Sequence, residues 1–461
     1  MGNNNLALRI FWILYNGVLL AGFVFLLPFI GYTVATNAKR RHTFRQRMGW
    51  CRSPWFGEAA RSTGKCIWVH ALSVGEVLAA EPLVMRLRQV RPDLRICFTT
   101  STFTGFQTAQ RLFGPQRHIG LTYFPYDWIG AVRRIASQIN PAMVLLTETD
   151  IWPNFLVEMH HRRVPVNLVN LRFSEGSWRN YRRLGRLARI LLGGFEKITV
   201  QHHTDFNRLI ALGIDPNKIS VAGNIKFDGV APEQAADSAV QWKRKLNIAP
   251  GKPVLVAGST HAGEEALLFK VLNLLACGGT APVLVLAPRD PLRSEEIVSS
   301  CRAFGLDVDL LTAMLNRTPE VRPCPQVLVV DTIGVLKVLY GVADVAFVGG
   351  SLVPCGGHNP LEPAVWGKPV LFGPDMRDFS LISRLLLEAR AAQQVMNADE
   401  LLQAVTILLA HPQLAAEMGS RGLNVVEAHK GSVDRTLKFL KLFTQNDNKN
   451  SPWAQAAGPR C

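Results

Sequence analysis

Two successive sets of short, apolar, β-rich runs constrain this chain most, each run separated from the next by helical periodicity. Cys66–Ala71, Ile96–Thr100, Met143–Thr147, Val164–Leu171 and Ile198–Gln201 form the first set. Val254–Ala257, Val283–Ala287, Val327–Val330, Val345–Val348 and Pro369–Phe372 form the second. Short buried strands joined through helices imply parallel pairing, because both faces of such a sheet are covered. The pattern predicts two parallel sheets with a boundary near Gly223–Ala239, and a length of 461 residues agrees with two domains. Hydrophobic residues make up 48% of the chain, which excludes wholesale disorder; 37 Gly and 27 Pro exclude a coiled coil. Leu401–Leu442 carries helical periodicity and no strand signal, and Asn446–Cys461 reads as a flexible tail.

Ahead of both sets, Ile10 to Ala38 contains no Asp, Glu, Lys or Arg. About 20 apolar residues cross a bilayer. Pro28 interrupts the run and places the span nearer Ile10–Phe29. A secretory signal has a basic n-region and an apolar stretch of about 7–15 residues. Here only Arg9 precedes a longer stretch, so residues 1–38 are expected to be an uncleaved anchor. Lys39, Arg40, Arg41, Arg45, Arg47 and Arg52 follow, with no acid before Glu58. By the positive-inside rule that flank is cytoplasmic, and the same charges suit anionic headgroups. The eight cysteines form no C-x-x-C pair, so no zinc or iron–sulfur centre is expected, and their scatter fits a reducing compartment.

Each set opens on a strand–turn–helix unit: Trp68–Ala71 into Ser73-Val74-Gly75-Glu76, and Val254–Ala257 into Gly258–Glu264. Ligands of open α/β sheets sit beyond the carboxyl ends of strands. Two facing units place a cleft between domains. Neither half has G-x-G-x-x-G or G-x-x-x-x-G-K-[ST], which argues against a nicotinamide cofactor and excludes a P-loop. Ser73-x-x-Glu76 has two readings: a capping box, or a general base at the cleft mouth. Gly349–Pro363 follows a strand and is rich in glycine; Asn359 reads as N-cap, Pro360 as the first helical residue and Glu362 as the third, either a helix start aimed at a phosphate or a plain cap behind Gly-rich turns that allow tight packing. Arg289 ends a strand where a phosphate or carboxylate binds, or where a surface ion pair forms. Lys226 neutralises a leaving phosphate or pairs with Asp228. Glu148 and Asp150 follow the strand Met143–Leu146 as sugar-hydroxyl ligands or as solvated loop acids. Arg172–Lys197 carries seven basic residues around Phe173, Trp178 and Tyr181, a patch for an anionic amphiphile or a plain basic helix face. His160-His161 and His202-His203 lack zinc-site spacing and read as surface or capping residues.

His70–Glu76, Thr147–Asn154, Gly223–Asp228, Gly258–Glu265 and Gly349–Pro363 together resemble the 3-deoxy-D-manno-octulosonic acid (Kdo) transferases that glycosylate lipid A. The resemblance runs from the anchor to about Val395. It implies an α/β GT-B architecture of two Rossmann-like domains facing a cleft behind an N-terminal transmembrane helix. The domains would be residues 39–222 for the acceptor and 223–410 for the nucleotide sugar. Residues 411–445 would be helices packing back on the N-terminal domain, and 446–461 the tail. It implies an inverting glycosyltransferase of the inner membrane, in lipopolysaccharide core biosynthesis, taking CMP-Kdo as donor and a lipid A precursor as acceptor, without metal, cofactor or nucleic acid. Glu76 would be the general base, with Glu148 and Lys226 stabilising the transition state. Pro288, Arg289, Ile333, Gly334, Val335, Ser351, Gly357, Asn359, Pro360, Leu361 and Glu362 would bind the nucleotide. Asp290, Val335, Gly176, Asp375 and Asp378 depart from the family's usual residues, four of them in the donor half. Those departures leave open a paralogue using a different activated sugar; the basic N-terminal half leaves open a non-catalytic binder of anionic lipids.

Overall fold

The computed structural model describes residues 2–50, 55, 65–116, 118–148, 151–229, 235–316 and 324–443. The expected tail 446–461 lies outside them. The chain divides into two compact units: Met1–Gly229 with Lys430–Cys461, and Val230–His429.

Unit one holds a parallel sheet of β1 (Cys66–His70), β2 (Arg95–Thr100), β3 (Ile119–Tyr123), β4 (Pro141–Thr147), β5 (Val166–Leu171), β6 (Lys197–Val200) and β7 (Ile219–Val221), in the order β3-β2-β1-β4-β5-β6-β7. Alternate residues of β1 enter opposite cores. Trp68 packs with Phe124, Phe155 and Leu168; Ile67 and Val69 pack with Leu83, Phe98 and Phe113. A sheet buried on both faces explains the unbroken apolar runs.

Unit two repeats the plan with β8 (Val254–Thr260), β9 (Val283–Pro288), β10 (Val308–Leu310), β11 (Val327–Val329), β12 (Val345–Val348), β13 (Val370–Phe372) and β14 (Ala392–Gln394). Their order is β10-β11-β9-β8-β12-β13-β14, again all parallel. Leu255 and Ala257 face one core, Val254 and Val256 the other.

The N-terminal helix runs Gly2–Thr36, and Pro28 does not end it. Its stretch Phe11–Phe29, mean hydropathy 1.9 and unburied, is long and apolar enough to cross a membrane. Of the terminal region expected to pack on the N-terminal domain, the helix Pro412–His429 stays in unit two, where it packs on the short helix Leu361–Ala364. From Lys430 onward the chain lies in unit one, where the helix Ser432–Phe439 packs on the helix Val74–Val90 and the turn Ile225–Gly229.

Asp228 makes that second docking specific. Its carboxylate accepts the amides of Gly431 and Val433, both at 2.6 Å, at the start of the returning helix. Arg86 adds an ion pair to Asp434 at 2.7 Å. Asp228→Ala strands two donors and should lower unfolding stability by about 1–3 kcal/mol, read by chemical denaturation. An unchanged unfolding midpoint would show that the docking does not need this carboxylate.

Candidate active site

Three of the singled-out residues converge in unit one: Glu76 and Glu148 at the carboxyl ends of the inner strands β1 and β4, and Lys226 in the turn Ile225–Gly229 that follows the edge strand β7. Glu76 stands in the first turn of the helix that follows β1. Its Oε2 accepts the Leu72 amide at 2.7 Å and the Thr147 hydroxyl at 3.4 Å. The Ser73 side chain makes no capping hydrogen bond, so the capping box does not form. Thr147 also donates to the His70 carbonyl at 2.9 Å, which ties the end of β4 to the end of β1.

Glu148 is the next residue. Its φ is 62°, a left-handed conformation that costs a side-chain-bearing residue about 1–3 kcal/mol. Its amide nevertheless donates to the Val169 carbonyl at 2.8 Å, so the strain re-aims the side chain without breaking the ladder. Lys226 Nζ lies 3.6 Å from Glu148 Oε1, and both side chains are partly exposed. Lys226 therefore pairs with Glu148, while Asp228 serves the backbone. Asn170 (φ 63°) accepts the Ile225 amide at 3.1 Å, and Asn224 accepts the Lys226 amide at 3.0 Å. Two buried asparagines thus hold the turn that carries the lysine. Asp150 lies outside the described residues.

Unit two holds the second set. Pro288 ends β9 and is buried; Arg289 is exposed, and its amide donates to the Thr260 carbonyl at 2.9 Å. Glu362 is half-buried at the start of the one-turn helix Leu361–Ala364. Burial pushes its carboxyl up, against the pull of Lys337 and Arg289. Asn359 accepts the Leu361 amide at 3.1 Å, and Pro360 and Leu361 are buried. Ile333 and Gly334 are exposed; Val335 starts the helix Leu336–Leu339 and packs on the core. Gly357 (φ 73°) has no room for a Cβ, which would lie 2.4 Å from Met376 Sδ. Ser351 is committed to the fold: buried, its hydroxyl donates to the Val348 carbonyl at 2.5 Å and accepts the Gly373 amide at 2.8 Å.

The departing acids also have local tasks. Asp290 accepts the Leu292 amide at 3.1 Å, and Asp375 accepts the Gly356 amide at 2.8 Å while Arg377 forks onto it.

Two features escaped the reading of the sequence. Buried Glu264 accepts four amides: His261 at 3.0 Å, Gly350 at 2.7 Å, Ser351 at 3.0 Å and Leu352 at 3.0 Å. It joins the turn after β8 to the loop after β12. The echo of Gly75-Glu76 in Gly263-Glu264 was the available signal. His261 and His358 stack with ring planes 6° apart, and their Nε2 atoms are 2.9 Å apart, so one donates to the other. Nothing in residue spacing foretells that pair, since the two are brought together only by the pairing of β8 with β12.

A family model described as 3-Deoxy-D-manno-octulosonic-acid transferase (kdotransferase) matches residues 42–229. A 3-deoxy-D-manno-octulosonic acid transferase of Haemophilus influenzae is 31% identical over 438 residues, covering 94% of this chain and 99% of that relative. Its counterpart in Bordetella pertussis is 34% identical over 381 residues, covering 81% and 86%. Among solved structures, a UDP-GlcNAc 2-epimerase from Neisseria meningitidis bound to UDP-GlcNAc is similar at TM-score 0.53 and 16% identity, over 81% of this chain and 100% of that one. That last likeness is one of fold: paired Rossmann-like units of the GT-B class.

Burial pushes the His358 imidazole from 6.5 down to about 3, with Arg289 and His261 adding repulsion. Its contribution to stability is therefore present above pH 6.5 and is lost as pH falls toward 3, where the unfolded chain takes up a proton that the folded one refuses. His358→Gln should flatten the acid side of a plot of Tm against pH. Parallel curves for variant and parent would show that His358 does not set the acid limb.

Proposed function

The chain belongs to the 3-deoxy-D-manno-octulosonic acid transferase family, and from that premise we propose that it moves Kdo from CMP-Kdo to a hydroxyl of a lipid A precursor with inversion. The observation that carries the reading is the convergence of Glu76, Glu148 and Lys226 beyond the ends of β1 and β4. Glu76 takes the proton of the acceptor hydroxyl. Its oxygen attacks the anomeric carbon from the face opposite the phosphate. The bond between the anomeric carbon and the phosphate oxygen breaks, and its electron pair leaves on that oxygen as CMP. Lys226 meets the negative charge that grows on the departing phosphate, where a fixed cation acts without reorganisation. Glu148 holds the lysine and faces the positive charge that develops on the sugar.

The nucleotide set is Pro288, Arg289, Ile333–Val335, Gly357 and Asn359–Glu362. Arg289 binds phosphate, and Glu362 accepts ribose hydroxyls. Ser351 shapes the loop rather than touching the ligand. The reading needs no metal. The N-terminal helix holds the enzyme at the inner membrane, on the cytoplasmic side that the basic flank after residue 38 marks.

Purified protein, lipid A precursor and CMP-Kdo generated in situ should yield product heavier by whole Kdo residues in mass spectrometry. Folded protein that gives no such increment would overturn the reading. Glu76→Gln should slow transfer by about 10²–10⁴-fold with donor affinity kept, as loss of a general base does. Arg289→Ala should instead weaken donor binding by about 1.5–3 kcal/mol, the worth of a charged hydrogen bond. Titration calorimetry with CMP separates the two.

A further inference from the structure

A cavity of about 750 Å³ opens between the N-terminal helix and the body of unit one. Ligand pockets commonly span about 300–1,000 Å³. Tyr15, Gly22 and Phe23 of the helix line it from one side, Trp128 and Trp152 from the other, and Arg40 also borders it.

The helix is fastened to this unit, not merely tethered to it. Tyr15 donates its hydroxyl to Asp127 at 2.8 Å, and the Asn16 and Asn154 amides exchange hydrogen bonds at 3.0 and 2.9 Å. Phe23 meets Trp128 edge to face at 4.8 Å. Asp127 also accepts the amides of Asn154 at 3.0 Å and Phe155 at 2.8 Å. The one acid lining the cavity is thus fully engaged, and the walls left to a guest are aromatic and aliphatic. The Trp152 Nε1–H is buried without an acceptor among the described residues.

A guest that enters beside this long apolar helix comes from the bilayer that its uncovered face suits. Apolar walls take its hydrocarbon chain, and the cationic end at Arg40 takes an anionic headgroup. Trp152 also stands in the same strand-end segment as Glu148, ahead of the helix Pro153–His161 that Asp127 caps. That position favours the reacting lipid over bulk phospholipid.

We propose that this cavity is the acyl-chain subsite for the anionic glycolipid acceptor. The proposal rests on the reading that the acceptor is such a lipid.

The test uses the full chain in nanodiscs with a glycolipid precursor bearing a diazirine on one acyl chain. Photolysis and peptide mapping then locate the chain, whether or not transfer occurs. Gly22 and Gly17 both face open space, with nothing within 4 Å of an added Cβ, but only Gly22 borders the cavity. Gly22→Phe should cut labelling of the Trp128 and Trp152 peptides about tenfold, and Gly17→Phe should leave it unchanged. Label spread evenly round the helix, or equal effects of the two variants, would overturn the subsite. Equal labelling by a diazirine phosphatidylglycerol would overturn the choice of guest. Absent transfer in the parent protein, with label at Trp152 intact, would count against the proposed reaction and not against the cavity.

Discussion

Unit two depends on one buried carboxylate. Glu264 sits where water is excluded, and a carboxylate there is costly unless hydrogen bonds replace its hydration. Four amides from two loops do so. The loop after β12 is irregular, with Gly350 in the left-handed region, where a Cβ would also lie 3.0 Å from His358. Irregular backbone at the end of an inner strand has donors to satisfy, and Glu264 satisfies three of them on that loop. Gly357, Asn359 and Glu362 are positioned downstream of this anchor.

The same position in unit one has the opposite fate. Glu76, like Glu264, follows a glycine in the first helical turn after a central strand, and each accepts an amide from the turn just before it. Glu264 has every lone-pair direction engaged by backbone. Glu76 is half-buried, and its Oε2 meets the Leu72 amide at 2.7 Å and the Thr147 hydroxyl at 3.4 Å. The duplicated βα turn thus joins two loops in unit two, while in unit one its carboxylate stands beside the end of β4.

The inner strands were legible because they are buried on both faces and read as continuous apolar runs. The four strands that reading missed are β3, β7, β10 and β14, which are the two edges of each sheet. An edge strand pairs on one side only; β7 and β10 have one buried residue in three, and so does β14. Their sequences carry no comparable signal. Position along the chain was legible where a strand leads directly into a turn: Glu76 lies in the turn-to-helix unit after β1, and Glu148 directly follows β4. The site was illegible where tertiary pairing decides. Ser73-x-x-Glu76 has the letters of a capping box, but Leu72 supplies the amide. Lys226 has Asp228 two residues away in sequence, but the returning helix withdraws that acid and the lysine meets Glu148 instead.

That withdrawal links fold to chemistry. Glu148 in the left-handed region, Asn170 likewise and Ser259 in β8 are all at carboxyl ends of strands, where β5 and β8 also shift register. Local kinks at these ends turn side chains outward from the sheet, and they persist only because neighbouring groups over-determine them. Asn170 illustrates the dependence: it holds the Ile225 amide, and the same turn is pinned from the far side by Asp228 on Gly431 and Val433. Lys226 lies between those two fastenings. A helix that arrives more than two hundred residues later in the chain is therefore part of what sets the lysine against Glu148, and its loss would reach the site through the turn rather than through any ligand contact.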